Sequence, residues 1–411
     1  MRSRTLEWTV LVWMMQHAAA YGQSSLTVQE AVSRALGAHP ALSASEGRVA
    51  ASEGLQLQAG LMPNPRLILQ TENTRPYGNP AFQFWRDTDN FAFLQQPIET
   101  GGKRNRRVEA ASLAVERAER ERDVLRWTIA ARVRQAYWQA AGARRIYDLF
   151  AETVRNFGQV VEYHELRVRE GAMAEVDLIR IRLEAERLAI AANAASLEAD
   201  RARIALFREM GATEFPAVTY ADPLDQWPGA IPAPNVEQAL ENRPDLRLAR
   251  TAVEASRRNV ALQRANATPN VDLVFGWKRT SGLDTMIGGL QWDLPFLNRN
   301  QGNVAAAGGE LRAAEASLAA ASALARAEVN SARADYEIRR RQVTQYLGTL
   351  RDRAAESQRI AQAAYREGGS DLLRLLDAER TQIEAQVLYY RTLAEYRQSI
   401  AALESAMGVI Q

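Results

Sequence analysis

The sequence predicts a mainly helical chain with a small β part, in which long antiparallel helical hairpins carry four short strands. Three observations predict it. Residues 98–215 and 296–411 contain no proline and are rich in Ala, Leu, Glu and Arg. Landmarks of the first half recur in order in the second. Four short segments between the helical stretches change from helical spacing to strict alternation.

Composition limits the function classes first. The 411 residues carry 51 Lys and Arg against 49 Asp and Glu, so no strong field points to nucleic acid. Cysteine is absent, which excludes disulfides, thiolate metal sites, a Cys nucleophile and an N-terminal lipid anchor on Cys. Residues 1–22 read as an export signal. Arg2 and Arg4 form a basic head, Trp8 to Met15 is apolar, and Ala18-Ala19-Ala20 and Gly22 offer a cleavage site. Beyond it no apolar run reaches the ~18–20 residues a membrane-spanning helix needs.

Proline breaks helix interiors, so the two proline-free stretches predict long helices. Ala35-Leu36-Gly37-Ala38-His39-Pro40 resembles Ala239-Leu240-Glu241-Asn242-Arg243-Pro244. Pro63-Asn64 matches Pro269-Asn270, Pro97 with Gly101-Gly102 matches Pro295 with Gln301-Gly302, and Arg169-Glu170-Gly171 matches Arg366-Glu367-Gly368. The chain therefore reads as two copies of a unit of about 200 residues, 26–211 and 233–411.

In the second unit Val271, Leu273, Phe275 and Trp277 alternate with Asp272, Val274, Gly276 and Lys278. Across a turn containing Gly282, Met286, Gly288, Leu290, Trp292 and Leu294 alternate with Ile287, Gly289, Gln291 and Asp293. Period two with one apolar side signals strands, here 271–279 and 285–295. Weaker alternation at 65–74 (Leu67, Leu69, Thr71) and 89–97 (Phe91, Phe93) gives the other pair. Each is near the length that crosses an outer membrane when tilted. Four strands cannot close a barrel with room inside, and an open sheet leaves edges that lipid cannot satisfy. Three copies would supply 12 strands, enough for an open lumen. Val271, Leu273, Phe275, Met286, Leu290 and Trp292 should then meet lipid, with Lys278, Gln291 and Asp293 at the lumen or its rim. The bland alternative is a soluble, exported periplasmic coiled-coil scaffold or binding protein whose sheet never meets lipid.

The stretch from Gly102 to Glu170, if continuous, spans roughly 100 Å of helix at 1.5 Å per residue. Its counterpart at 302–367 is nearly as long. Each ends at a glycine, Gly171 and Gly368-Gly369, before a returning helix. Ala and Leu at three- and four-residue spacing, with Arg and Glu between, suit packed coiled coils.

In this order and spacing, the repeated Ala35–Pro40 element and the stretches Gln96–Arg104, Leu294–Gly302 and Gly368–Glu379 resemble the TolC-like outer membrane efflux factor family. The two Pro-Gly stretches look most like its heavy-metal, CzcC-like branch. The resemblance covers essentially all of the mature chain. It implies a homotrimer with a 12-stranded transmembrane β-barrel and a periplasmic α-barrel, and a mixed band built partly from 212–235 and the termini. It also implies a periplasmic adaptor (membrane fusion protein) and an inner-membrane pump of the resistance-nodulation-division type as partners. The function it implies is a passive exit duct carrying substrate, heavy-metal cations among them.

In this family the working residues lie at the periplasmic tips, where two aspartates often stand six and nine positions after the tip glycine. Asp177 and Asp377 fit that pattern, and Arg374 departs from it. The resemblance makes Asp177, Arg374 and Asp377 aperture candidates, and Gly171, Ala172, Met173, Gly368, Gly369 and Ser370 the adaptor-docking tips. Read without it, Asp177 and Asp377 merely cap or solubilise helices after a turn. His17, His39 and His164 are the only histidines and have no ligand spacing, so the expectation is no metal site and no cofactor. Lys103, Arg104, Arg106 and Arg107 could meet lipid phosphates or form a solvated helix face; the second reading is favoured. No nucleotide loop, triad or paired-carboxylate site stands out, and no enzyme is expected.

Overall fold

The computed structural model describes residues 24–75, 77, 81–226, 229 and 235–409. The expected signal at 1–22 lies outside the described residues. The elements in chain order are β1 (Ser24–Leu26), α1 (Val28–Ala38), α2 (Pro40–Ala59), β2 (Arg66–Glu72), the single-turn α3 (Phe84–Asp87) and β3 (Asp89–Ile98). Then come α4 (Lys103–Arg169), α5 (Glu175–Glu209), β4 (Val218–Tyr220), α6 (Val236–Asn242), α7 (Pro244–Asn266), β5 (Val271–Thr280) and β6 (Leu283–Trp292). The chain ends with α8 (Gln301–Arg341), a π-helical turn at Gln342–Leu347, α9 (Gly348–Arg366) and α10 (Leu372–Ala406). Two compact units divide these residues, one made of 42–125 and 240–327, the other of the remainder.

The duplicated landmarks have local physical causes. Proline opens α2 at Pro40 and α7 at Pro244, where its missing N–H is no loss. The residues before them, His39 and Arg243, are both extended, at ψ 124° and 123°. The tip glycines are equally alike. Gly171 and Gly368 both have φ +73°, a left-handed conformation that costs glycine little. The N–H of Ala172 donates to Arg167 O and that of Gly171 to Val168 O, at 2.8 and 3.0 Å. Gly369 and Gly368 donate to Ala364 O and Tyr365 O in the same pattern, at 2.8 and 3.2 Å. This paired closure satisfies carbonyls that each helix end would otherwise leave free.

The unit of 42–125 and 240–327 holds a four-stranded antiparallel sheet in the order β2-β3-β5-β6. Ser281 and Gly282 turn β5 into β6 with φ of +51° and +79°, the two positive values that suit a tight hairpin. The basic group at the start of α4 is only partly a solvated helix face. Lys103 is buried and bonds Asn270, and Arg104 Nε donates to Gly60 O at 2.7 Å. Arg107 grips Glu99 with two nitrogens and donates to Ala59 O at 2.8 Å and Leu61 O at 3.1 Å. Arg104 and Arg107 thus meet free carbonyls at the C-terminus of α2, where positive charge is favoured. Arg106, paired with Glu109 at 3.0 Å, and Arg104 are exposed.

The other unit packs helices around Val133, Tyr137, Leu206, Leu393, Tyr396 and Leu403, each at most 1 % exposed. Gly142 lets α4 approach α10, since a Cβ there would lie 2.4 Å from that of Ala394. A two-stranded parallel sheet, β1 with β4, adds strands beyond the four expected. Tyr137 Oη donates to Leu26 O at 2.8 Å, and Asp222 accepts from Val28 N at 2.6 Å, which fixes both strands. Arg397 stacks on Trp138 at 3.9 Å and donates to Pro223 O at 3.2 Å. The second long helix differs from the first: α4 runs 67 residues unbroken, whereas the π turn separates α8 from α9.

Candidate membrane face and hairpin tips

Register decides which strand residues share a face. Val271 pairs with Trp292, Leu273 with Leu290 and Trp277 with Met286. Phe275 lies opposite Leu94, Leu94 opposite Leu67, and Ala92 opposite Leu69. All six expected lipid-facing residues, Val271, Leu273, Phe275, Met286, Leu290 and Trp292, therefore lie on one face of the sheet. Leu67, Leu69, Leu94 and Ile98 extend that face across the first strand pair. Its side chains are open to solvent in the single chain, Leu69 at 72 % and Met286 at 68 %.

The opposite face carries Gln70, Glu72, Gln95, Asp272, Lys278, Thr285 and Gln291. Gln95 donates to Asp272 at 2.8 Å, and Thr285 Oγ1 donates to Lys278 O at 3.1 Å. Asp293 lies one residue past the end of β6. Phe91 and Phe93 belong to this polar face, which corrects the alternation read for β3. They pair with Gln70 and Ile68, and the ammonium of Lys278 sits 5.2 Å from the Phe91 ring centre. Apolar residues occupy both parities of β3, so only its pairing with β5 assigns the sides. Gly276 packs against Phe93 so closely that a Cβ would fall 2.3 Å from the Phe93 Cβ.

At the tips, Gly171, Ala172, Gly368 and Gly369 are exposed, and Ser370 is half-buried. Met173 is not free: it packs on the cluster of Phe157, Ile181, Leu188, Leu372 and Leu375 under the turns. Asp371 caps α10 by accepting from Arg374 N at 2.9 Å. Asp177 is half-buried in the first turn of α5 and pairs with Arg180 at 3.3 Å, one turn along. Arg374 and Asp377 are exposed on α10. Counted from the two tip glycines, Asp177 corresponds to Arg374 and Arg180 to Asp377, so the charges are exchanged between the copies. The sequence reading missed Arg180, although the same count from Gly171 reaches it.

His164, buried near the first tip, donates from Nδ1 to Val160 O at 2.7 Å, and its Nε2 lies 3.2 Å from Tyr365 Oη. Burial pushes the Tyr365 hydroxyl up, so it stays neutral beside the imidazole. Among the described residues, no group of three or more His, Cys, Asp or Glu could hold a metal, and no helix is long and apolar enough to cross a membrane.

A family model described as outer membrane efflux protein matches residues 31–212 and 235–409. The chain belongs to the outer membrane efflux protein family. This family is one of outer membrane channels rather than enzymes, and the chain's location is the outer membrane. It is 26 % identical over 387 residues to the cobalt-zinc-cadmium resistance protein CzcC of Cupriavidus metallidurans, covering 93 % of this chain and 90 % of the relative. It is also 26 % identical over 323 residues to the pyoverdine export outer membrane protein OpmQ of Pseudomonas putida, covering 75 % and 67 %. In fold, this efflux-family chain is similar to the CmeC outer membrane channel of Campylobacter jejuni, with a TM-score of 0.79 at 17 % identity over 93 % and 85 % of the two chains.

Proposed function

We propose that this chain is the outer-membrane exit duct of a tripartite efflux system, working as a homotrimer whose three sheets close a 12-stranded barrel. One observation carries the reading. A four-stranded sheet exposes a mainly apolar face and leaves β2 and β6 as unpaired edges. In lipid such edges must be paired, and the pleated sheet can pair them only with further copies. The polar face, with Gln95, Asp272, Lys278 and Gln291, then lines the lumen. Extraction tests this directly: the protein should leave the envelope only with detergent, run at the mass of three chains, and conduct ions in a planar bilayer. Release with the soluble periplasm would favour the exported scaffold instead.

In this reading the turns at Gly171–Met173 and Gly368–Ser370 dock a periplasmic adaptor, which links the duct to an inner-membrane pump of the resistance-nodulation-division type. Asp177, Arg374 and Asp377 form the aperture just inside them, with Arg180 as a fourth member. The matching Schellman-type turns and the exchanged charges support this assignment. Gly368→Trp should abolish efflux while trimers still insert.

Heavy-metal cations are the proposed cargo, supported by the likeness to CzcC. OpmQ matches with the same identity and exports a different chemistry by name, so the cargo test must compare both. Loss of the protein should sensitise cells to cobalt, zinc or cadmium and leave siderophore export unchanged.

A further inference from the structure

The edge strands define what each copy presents to the next. Arg66 pairs with Gln95, Ile98 with Val271, and Val271 with Trp292, so the start of β2 and the end of β6 lie at the same end of the sheet. When β6 of one copy pairs antiparallel with β2 of the next, the chain leaving β6 and the chain entering β2 emerge side by side. Both segments are apolar and uncovered. Leu294 and Phe296 follow β6 exposed, and Leu297 is 93 % exposed. Leu61 and Met62 precede β2, also exposed. A groove of about 420 Å³ lies there, lined by Leu55, Leu61, Met62 and Pro63, with Glu99 and Arg107 at its side.

We infer that the Leu294–Leu297 loop of each copy seats in the groove before β2 of the next copy, forming an apolar collar at the end of the barrel. This rests on the trimer proposed above and adds the contact that holds its seams. Lipid is the poorer occupant of the groove because the Glu99–Arg107 ion pair lines it, and charge is disfavoured against hydrocarbon. A protein loop ending in polar Asn298 and Arg299 tolerates that pair. The loop is also held at its far end, where Asn300 Nδ2 donates to Gln263 O at 2.7 Å, so it presents its apolar side chains from a fixed base.

The chain lacks cysteine, which makes the test clean. Within one chain the edge strands are three spacings apart, about 14 Å, beyond the reach of a disulfide. A Met62→Cys, Phe296→Cys double variant should therefore cross-link only between chains, giving a covalent trimer on a non-reducing gel that thiol dissolves. Co-expressed single variants should give covalent dimers. A second pair, Leu61→Cys with Leu297→Cys, guards against local misplacement. Trimers of native mass in which neither pair cross-links under oxidant would overturn the collar and leave the duct reading intact. Strong quenching of a fluorophore on Phe296→Cys by brominated acyl chains would also overturn it, by giving the loop to lipid. Absence of any trimer in detergent would remove the duct reading and the collar together.

Discussion

Two glycines in one helix show how residue-scale context sets the sign of a substitution. Gly142 and Gly158 both lie inside α4, where glycine normally weakens a helix. Around Gly158 nothing lies within 4 Å of a built Cβ, so Gly158→Ala should gain up to about 1 kcal/mol. At Gly142 the Ala394 methyl occupies that space, so Gly142→Val should lose about 1–3 kcal/mol by forcing α4 off α10. Thermal unfolding of the two variants in detergent should shift in opposite directions; shifts of the same sign would refute the close approach. A third residue-scale case is Glu99, whose carboxyl the Arg107 guanidinium holds below the usual range. Its contribution is present above the unfolded value of about 4.3 and is lost as pH falls through the lowered folded value. Protection factors at Lys103–Arg107, taken from hydrogen-exchange rates corrected for their intrinsic pH dependence, should fall on acidification, and Glu99→Gln should remove most of that fall.

At the scale of elements, the sheet is the decisive part, and its legibility was uneven. In β5 and β6 the apolar residues keep one parity, so Leu273, Phe275 and Leu290 were assigned to a face from the sequence, and the register agrees. In β3 both parities hold apolar residues, and the assignment of Phe91 and Phe93 depended on a pairing with Lys278 and Gly276 far along the chain. β1 and β4 leave no periodicity, being three residues each, so only the resemblance, with its mixed band at 212–235 and the termini, points to that region; a distant Tyr137 hydroxyl fixes them. Nor does composition mark the π turn at Gln342–Leu347. In the basic group at the start of α4, the solvated reading fits exposed Arg104 and Arg106, whereas the contacts of Lys103 with Asn270 and of Arg107 with the Ala59 and Leu61 carbonyls depend on distant chain that no local pattern reveals. The tip glycines were legible because a positive φ after a long helix nearly demands glycine. The sheet's two faces yield a direct test. Leu273→Arg on the apolar face should cost roughly 2–4 kcal/mol of barrel stability near mid-bilayer, whereas Gln291→Arg on the polar face should cost much less. Urea unfolding in lipid vesicles measures both, and equal losses would mean that this face does not meet lipid.

At the scale of the whole assembly, the proposed aperture makes the exchanged charges at the tips testable through ion selectivity. In each chain Asp177 and Asp377 are balanced by Arg180 and Arg374, so these four positions carry no net charge. A trimer multiplies any single change by three, and a narrow low-dielectric entrance focuses the resulting field. Removing Asp377 with Ala leaves three uncompensated positive charges in the ring, which should favour anions. Removing Arg374 with Ala leaves three negative charges, which should favour cations. Reversal potentials of the reconstituted pore in a potassium chloride gradient should therefore move in opposite directions for Asp377→Ala and Arg374→Ala, with the wild type between them. High salt should shrink both shifts, because screening shortens the reach of exposed charge. Arg374 also shares a first turn with its cap, Asp371, whose carboxylate bonds the backbone N–H of residue 374. Its removal therefore spares that cap, and a cation shift would report charge rather than an unravelled helix. If neither variant changes selectivity while both insert as trimers, these residues do not line the constriction, and the aperture assignment falls.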